Sequence, residues 1–326
     1  MGLGFVVSEP DLEVVLPTYN GAAYLEAQLA SIFAQTRQPR RVLLRDDGSR
    51  DGTPALIERL QGQYGSWLKV LTSDANLGCT ANVGRLLEAS AAAYVALADQ
   101  DDLWWPDKLE RSLRLLQELE AIHGPETPLL VHTDLELVDE QGARLGETYL
   151  QRQRLDPTRT GLVDLVLTNV VTGCTVLCNR ALLTRALPIP EQAVVHDWWL
   201  ALVASALGRI EHLPMPSLSY RQHRDNVLGA PGTTPRAMVR KLFLPPEQRP
   251  LVLLQAITRQ LQELRRRYQL SLHPLEVCLS QSRWQRIGRL LGSSSLRRSL
   301  RKHGRLRTWA FWVLLVLTPR QAGSGT

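Results

Sequence analysis

Strand-like and helical segments alternate along residues 11–230 of the chain. Four apolar runs rich in β-forming residues have strand character: 13–16, 42–45, 69–72 and 94–98. Between them, apolar residues recur at helical spacing over 22–35 and 77–90. Because this alternation is typical of parallel strands joined by crossover helices, we predict an α/β fold, a three-layer αβα sandwich with a mostly parallel central sheet.

The alternation continues to residue 220 and then gives way to Arg-rich helical sequence. Further strands are predicted at 129–138, 170–177 and 211–220, and further helices at 107–122, 161–168 and 198–207. Gly229-Ala230-Pro231-Gly232 separates the two kinds of sequence. We therefore predict one domain of residues 1–232 and a basic, mostly helical C-terminal extension of residues 233–326.

Acidic residues directly follow two of the predicted strands. Asp46-Asp47 ends the strand at 42–45, and Asp99-Gln100-Asp101-Asp102 ends the strand at 94–98. Ligands of open α/β sheets gather at the carboxyl ends of the strands, so both acidic stretches are expected on one rim. Hard divalent cations prefer carboxylate oxygens on a rigid element, which makes this rim a candidate metal site.

Five motifs follow one another in this part of the chain. They are Val15-Leu16-Pro17-Thr18-Tyr19-Asn20-Gly21, Asp46-Asp47-Gly48-Ser49-Arg50-Asp51-Gly52-Thr53, Asn76-Leu77-Gly78, Asp99-Gln100-Asp101-Asp102 and His196-Asp197-Trp198-Trp199. Together they resemble a family 2 glycosyltransferase of GT-A fold, over residues 11–230. The sequence around the fourth motif is most similar to the bacterial rhamnosyltransferase-like branch of that family.

The resemblance implies a nucleotide-sugar-dependent glycosyltransferase, a hexosyltransferase, whose catalytic domain is residues 1–232. It would move a sugar to a hydroxyl of a glycan or polyprenyl-linked acceptor in cell-surface polysaccharide biosynthesis. The implied sugar is rhamnose, with dTDP-rhamnose as the donor, and the other candidate donor is a UDP-sugar. An inverting single displacement with Mn²⁺ or Mg²⁺ is implied. The segment 222–226 lacks the Gln-x-x-Arg-Trp motif of processive synthases, which favours single additions. The alternative is a non-catalytic nucleotide-sugar-binding or scaffold protein of the same fold.

The resemblance also implies roles for individual residues. Donor-nucleotide contacts are Pro17, Thr18, Asp46 or Asp47, Asn76, Gly78 and Asp99. Metal ligands are Asp101, Asp99 and His223, and Asp197 is the catalytic base. Contacts to the diphosphate or the acceptor are Arg221, Arg224, Trp198 and Trp105. For His223, Arg221 and Arg224 the alternative is a solvated polar loop.

Other positions also have a structural alternative. Asp197 begins a predicted helix, where Asp is a favoured N-cap, and Asp102 could cap the helix that follows it. The pairs Trp104-Trp105 and Trp198-Trp199 could line a sugar site or pack in the core. Thr172-Gly173-Cys174-Thr175 could bring backbone close to the acceptor or form an ordinary turn.

Charge divides the chain into two parts. Residues 236–326 contain 18 Lys or Arg against 3 Asp or Glu, whereas the first 235 residues contain 20 against 29. The apolar run 309–317 is shorter than the ~20 residues of a spanning helix. A basic segment with Trp and Leu suits the surface of an anionic membrane. The alternative is that the basic extension packs on the body of the protein or on a second subunit. The acidic first part of the chain would repel a phosphate backbone, which argues against nucleic acid as a partner.

Cysteine spacing and the sequence of residues 1–10 indicate where in the cell the protein is expected. Cys79, Cys174, Cys178 and Cys278 show neither CxxC nor metal-ligand spacing, so we expect them reduced and mostly buried. Residues 1–10 carry no secretory signal pattern. We expect a cytoplasmic protein, peripheral at the inner face of the cytoplasmic membrane.

Overall fold

The computed structural model describes residues 11–72, 75–222 and 250–319. Its strands are β1 Leu12–Thr18, β2 Arg41–Asp46, β3 Leu68–Val70, β4 Tyr94–Leu97, β5 Leu103–Trp104, β6 Leu129–Val138, β7 Arg144–Thr148, β8 Leu177–Asn179 and β9 Arg209–Arg221. Its helices are α1 Leu25–Phe33, α2 Thr53–Tyr64, α3 Cys79–Ala89, α4 Lys108–His123, α5 Tyr149–Gln153, α6 Leu162–Leu165, α7 Arg180–Ala186, α8 His196–Leu207, α9 Pro250–Tyr268, α10 Pro274–Leu279, α11 Arg283–Gly292, α12 Ser294–Ser299 and α13 Arg305–Leu317.

One sheet joins all of these strands, in the order β3-β2-β1-β4-β8-β6-β9-β5, with β7 paired to β6. The first four strands of that order are parallel, as are β6 and β9. Strand β8 is antiparallel to both of its neighbours, and β5 and β7 are antiparallel to theirs. The predicted α/β class is confirmed, and the parallel half of the sheet carries the acidic rim.

Helices cover the sheet on both faces. Along β1, Val14 and Leu16 pack into a cluster with residues of α1, α2 and α4. Val15, on the opposite face, packs into a cluster with residues of α3, α7 and α8. Successive side chains of a strand point to opposite faces, so this alternation produces the three layers that the sequence predicts.

One predicted strand is wrong, and helix α2 was not predicted. The predicted strand at 170–177 is a loop with a 3-10 turn at Gly173–Thr175, and only its end enters β8. Helix α2 was not predicted, because only Thr53, Ile57 and Leu60 of its residues are buried and its apolar pattern is weak. The strand predicted at 129–138 is β6 itself, so that prediction is confirmed.

The C-terminal helices pack on the body of the protein. Buried residues of α9, α10, α11 and α13 belong to the same apolar cluster as α7 and α8. Polar contacts add to this: the side-chain oxygen of Gln260 accepts from the Val194 amide at 2.8 Å, and the Tyr268 hydroxyl donates to the Arg185 carbonyl at 2.6 Å. The predicted helical character of this part is confirmed, and the predicted boundary at 232 lies outside the described residues.

A buried arginine holds the C-terminal helices together. Arg286 of α11 is fully buried, and its guanidinium donates to the carbonyls of Cys278 and Leu279 at the end of α10, at 3.0 and 2.8 Å. It also donates to the carbonyls of Leu315 and Thr318 at the end of α13, at 2.7 and 2.6 Å. The last carbonyls of a helix lack partners within the helix, so the single guanidinium of Arg286 supplies hydrogen-bond donors to the ends of both α10 and α13.

Across the described parts of the chain, none of the helices combines the length and the apolar character that crossing a bilayer requires. The apolar run 309–317 lies within α13, a helix of 13 residues.

We predict that Arg286→Met lowers the free energy of unfolding by about 2–4 kcal/mol, because it leaves several buried carbonyls without a donor. Denaturant unfolding of the full chain measures this change. Arg289→Met, on the exposed face of the same helix, serves as the control and should stay within about 0.5 kcal/mol of the parent. Equal effects of the two substitutions would contradict the assigned role.

Candidate active site

The carboxyl ends of β1, β2 and β4 form one rim. Thr18, the last residue of β1, pairs in register with Asp46 of β2. The Thr18 hydroxyl donates to the side-chain oxygen of Gln100 at 2.7 Å, and the Tyr19 amide donates to the same oxygen at 2.9 Å. Gln100 belongs to the acidic stretch after β4, so this side chain fixes that stretch against the end of β1.

Two neighbouring aspartates at the end of β2 have different environments. Asp47 is buried, and its carboxylate accepts from the amides of Leu77 and Gly78, both at 2.8 Å, and from the Arg45 guanidinium at 2.9 Å. Asp46 is half-buried and accepts from the Ser49 amide at 2.9 Å. The carboxylate of Asp47 is therefore occupied in shaping the loop before α3, and Asp46 is the more accessible of the two.

The loop before α3 is fixed to the rim from both sides. The side-chain amide of Asn76 donates to the Asp47 carbonyl at 2.8 Å. Gly78 has a φ of 77°, a left-handed conformation that glycine adopts without strain, and α3 begins at the next residue. Desolvation and the charges of Asp99, Asp197 and Asp47 raise the pKa of the Cys79 thiol to about 12, so these three carboxylates lie near the start of α3.

A compact acidic group lies beneath the rim. Ligand atoms of Asp99, Asp102 and Cys174 lie within 4.8 Å of one another. Burial, reinforced by the charges of Asp101 and Asp197, raises the pKa of Asp99 to about 7. Burial and the charge of Asp99 also hold the pKa of Asp102 well above its usual range. The charged form of both carboxyl groups is therefore disfavoured in this structure.

A lysine inside the fold faces this acidic group. Lys108, in the first turn of α4, is 2% exposed, and its ammonium donates to the Cys174 carbonyl at 3.0 Å and to the Ser217 hydroxyl at 3.2 Å. It also lies over the ring of Trp104, 4.7 Å from the centroid. Burial lowers the pKa of Lys108 to about 8, although Asp102 and Asp99 favour its charged form.

The residues present fit a divalent cation. A cluster of carboxylates whose pKa values rise through burial and mutual repulsion is stabilised when a cation shares the site. Asp99 and Asp101 are half-buried, whereas Asp102 is buried next to the thiol of Cys174. Asp102 does not cap the following helix, since the N-cap of α4 is Asp107. The capping alternative for Asp102 is therefore wrong.

Asp197 lies at the start of α8 and faces the same cleft. Its carboxylate accepts from the Gly173 amide at 2.8 Å and from the side-chain amide of Asn169 at 3.1 Å. The N-cap of α8 is Val195, so the N-cap alternative for Asp197 is wrong. Burial raises the pKa of Asp197, and the neighbouring His196 together with these hydrogen bonds opposes the rise.

The tryptophan pairs divide between core and rim. Trp104 and Trp199 are buried, and so is Trp198, whose indole N–H donates to the Leu165 carbonyl at 2.7 Å. Trp105 is half-buried, and its indole N–H donates to the Ser219 hydroxyl at 3.3 Å. Core packing thus accounts for three of the four rings, and Trp105 remains beside the last core strand.

Of the residues predicted to contact the metal or the phosphates near the end of β9, only Arg221 lies in the described part of the chain. The Arg221 guanidinium donates to the Glu140 carbonyl at 2.7 Å and lies over the ring of Tyr24, 5.1 Å from its centroid. His223 and Arg224 lie outside the described residues. Their roles stay predictions.

Sequence reasoning missed several residues of the site. Lys108 was not predicted because a lysine in sequence is expected at the surface. Tyr149, whose pKa burial raises to about 12, interacts electrostatically with Asp197 and with Arg307 of α13. The string 172–175 was noted for its glycine, but only the structure shows that the Gly173 amide holds the carboxylate of Asp197.

Sequence similarity links part of the chain to known proteins. Residues 13–128 match the family model described as glycosyl transferase family 2. An uncharacterized Mycobacterium tuberculosis protein is 28% identical over 219 residues, 66% of this chain and 60% of that protein. The putative teichuronic acid biosynthesis glycosyltransferase TuaG of Bacillus subtilis is 26% identical over 198 residues, 60% of this chain and 73% of TuaG. These matches support a family 2 glycosyltransferase.

Solved structures show the same fold. TarS 1-349 of S. aureus in complex with UDP aligns with a TM-score of 0.54 at 16% identity, covering 87% of this chain and 72% of that one. The mannosyltransferase PcManGT of Pyrobaculum calidifontis, in complex with GDP-Man and Mn²⁺, aligns with a TM-score of 0.50 at 17% identity, covering 95% and 87%. The fold is GT-A, as predicted. The chain spans 60% of the length of the mycobacterial relatives that it matches.

We predict that Gly173→Ala lowers the free energy of unfolding by about 1–3 kcal/mol, since overpacking in a filled site forces neighbours to move. An added Cβ would lie 2.9 Å from Nε2 of His196 and 3.4 Å from Oδ2 of Asp197. Gly62→Ala, in the interior of α2 with nothing within 4 Å of the new atom, is the control for denaturant unfolding. It should stabilise by about 0.5–1 kcal/mol. A neutral effect of Gly173→Ala would mean that the site is looser than described.

Proposed function

We propose that this protein transfers a sugar from a nucleotide-diphosphate donor to a hydroxyl of a glycan or lipid-linked acceptor, in cell-surface polysaccharide biosynthesis. The observation that carries the proposal is the acidic rim itself: Asp46 ends β2 beside Thr18 of β1, and Gln100 ties the stretch that contains Asp99 and Asp101 to the same residue. Asp197 joins this rim through Gly173, whose neighbour Cys174 lies within 4.8 Å of Asp99. Such a rim at the strand ends is where ligands of open α/β sheets bind. We assign residues 1–232 to the catalytic domain and 233–326 to an extension.

The nucleoside would lie over the ends of β1 and β2. Pro17 and Thr18 border this part of the rim, and Asp46 is the accessible carboxylate for a base or ribose donor. Asp47 acts through the loop that it holds, so Asn76 and Gly78 shape the path of the diphosphate. The similarity to the rhamnosyltransferase-like branch favours dTDP-rhamnose, followed by UDP-sugars. Solved structures of the same fold carry UDP or GDP-Man.

Asp101 and Asp99 would hold Mn²⁺ or Mg²⁺, with His223 as a further ligand. When bound, the cation neutralises charge that develops on the departing nucleoside diphosphate. Asp102 lies close to Asp99 and to the thiol of Cys174, and the ammonium of Lys108 donates to the Cys174 carbonyl. We assign Arg221 and Arg224 to phosphate oxygens, which guanidinium groups bind through paired hydrogen bonds.

Asp197 is the proposed general base. A sugar hydroxyl is a weak nucleophile, so a carboxylate must accept its proton while its oxygen attacks the anomeric carbon. The bond from that carbon to the diphosphate oxygen breaks in the same step, and the configuration inverts. The hydrogen bonds from Gly173 and Asn169 orient the carboxylate, and burial gives it a pKa above that of an ordinary aspartate. Trp105, the one half-buried ring of the two tryptophan pairs, borders this side of the cleft in the proposal.

We also propose that the basic extension brings the catalytic domain to the inner face of the cytoplasmic membrane, where lipid-linked acceptors lie. A net charge of this sign attracts anionic lipid headgroups. The extension would then act as a guide to the acceptor and take no part in the chemical step.

We predict that Asp197→Asn lowers kcat by about 10²–10⁴-fold, because the amide cannot accept the proton of the acceptor hydroxyl. Binding of the nucleotide should stay unchanged, since Asp197 lies on the acceptor side. Turnover is measured as release of nucleoside diphosphate, with Glu118→Gln, an exposed carboxylate of α4, as the control.

The pH profile gives a second readout of the same role. Only the deprotonated base is active, so kcat/KM should fall as the pH drops through the raised pKa of Asp197, above the ~3.9 of a free aspartate. Glu118→Gln should keep this acid limb. If Asp197→Asn retained full turnover, the assignment of the base would be wrong.

A further inference from the structure

Helix α13 is apolar on its inner and its outer side. Its inner side buries Thr308, Phe311 and Leu315 against the neighbouring helices. Its outer side carries four exposed apolar residues: Leu306, 56% exposed, Trp309, 64%, Val313, 52%, and Leu317, 62%. Spacings of three and four residues place these on one stripe along the helix. We call these four residues the outer stripe.

Exposure of such a stripe to water is unfavourable. A helix that is apolar all round is normally buried in a core or in a membrane, and contiguous exposed apolar surface marks an interaction site. With 13 residues, α13 is only ~20 Å long. That is well short of the ~30 Å hydrocarbon core of a bilayer. A partner must therefore cover the stripe from the side, with the helix lying along the surface of that partner.

Charge around the helix identifies the partner. From residue 277 to residue 326 the chain contains ten Lys or Arg and neither Asp nor Glu. Arg298, Arg301 and Arg305 are exposed in the segment that leads into α13 and in its first turn. A second copy of the chain, docked face to face, would bring the same positive charge against itself. An anionic lipid surface offers both the opposite charge and an apolar layer beneath it.

We propose that the outer stripe of α13 inserts into the interface of an anionic lipid bilayer, with α13 parallel to the membrane plane. Trp309 then lies at the headgroup level, where its indole ring has an apolar body and a polar edge. Arg298, Arg301 and Arg305 contact lipid phosphates. This proposal names the surface that the basic extension uses, and its link to the acceptor rests on the proposed function.

The segment before α13 connects this surface to the active site. Nδ1 of His303 accepts from the Asp156 amide at 3.0 Å, and the Arg159 guanidinium donates to the Arg301 carbonyl at 2.8 Å. Arg307, in the first turn of α13, interacts electrostatically with Arg154 and Tyr149.

The C-terminal helices, α13 among them, pack in the same apolar cluster as α8, the helix whose first turn carries Asp197. The proposed membrane surface and the proposed base therefore belong to elements on the same face of the sheet.

The test compares the parent chain with Trp309→Glu/Val313→Glu in a vesicle sedimentation assay. The probes are vesicles of phosphatidylglycerol mixed with phosphatidylcholine and vesicles of phosphatidylcholine alone. The parent should bind the anionic vesicles and lose binding at high salt. The double variant should bind about 10- to 100-fold more weakly, because it places two carboxylates in the stripe.

The control is Ile122→Glu, which replaces an apolar residue at the end of α4 on the body that is 73% exposed, more than either residue of the double variant. It should bind anionic vesicles as the parent does. Both the double variant and the control should keep the parent's circular dichroism and nucleotide binding. Because vesicle binding needs neither donor nor acceptor, a failure of docking is distinguishable from a failure of the proposed transferase activity.

Three results would overturn the proposal. The first is binding of the double variant equal to that of the parent. The second is binding of the parent to phosphatidylcholine alone as strong as to anionic vesicles. The third is dimerisation of the parent in light scattering, abolished by the double substitution, with no vesicle binding at all, which would assign the outer stripe to a second copy of the chain.

Discussion

Burial of neighbouring carboxylates is the constraint on which the site depends. Asp99 and Asp102 lie close together beneath the rim, and the charges of Asp101 and Asp197 act on Asp99. The buried ammonium of Lys108 faces these carboxylates, and burial lowers its pKa to about 8. A positive charge stabilises a cluster of this kind, which is the physical basis for the divalent cation that we propose there.

The rest of the fold holds these carboxylates in place. The paired ends of β1 and β2 bring Thr18 next to Asp46, while Gln100 ties the acidic stretch to β1. Across the cleft, the amide of Gly173 holds the carboxylate of Asp197. The C-terminal helices pack on the face of the sheet that carries α7 and α8, and Asp197 lies in the first turn of α8.

Much of this could be predicted from the sequence, because strand periodicity and the acidic strand ends are local signals. The strand at 129–138 and the GT-A class were predicted correctly. The strand predicted at 170–177 was wrong because its β-branched composition is overridden by the turn through which Gly173 reaches Asp197. Lys108 and Arg286 could not be predicted, since only tertiary packing buries a cation and supplies its carbonyl partners.

The central claim is that the acidic rim binds a nucleotide sugar together with a divalent cation. Release of free nucleotide from dTDP-rhamnose, UDP-glucose and UDP-galactose, each with Mn²⁺, with Mg²⁺ and with EDTA, tests it most directly. The account predicts release from one donor that requires the cation and is abolished by EDTA. Release from that donor at the same rate in EDTA, or the absence of both release and cation-dependent nucleotide binding for every donor, would contradict it.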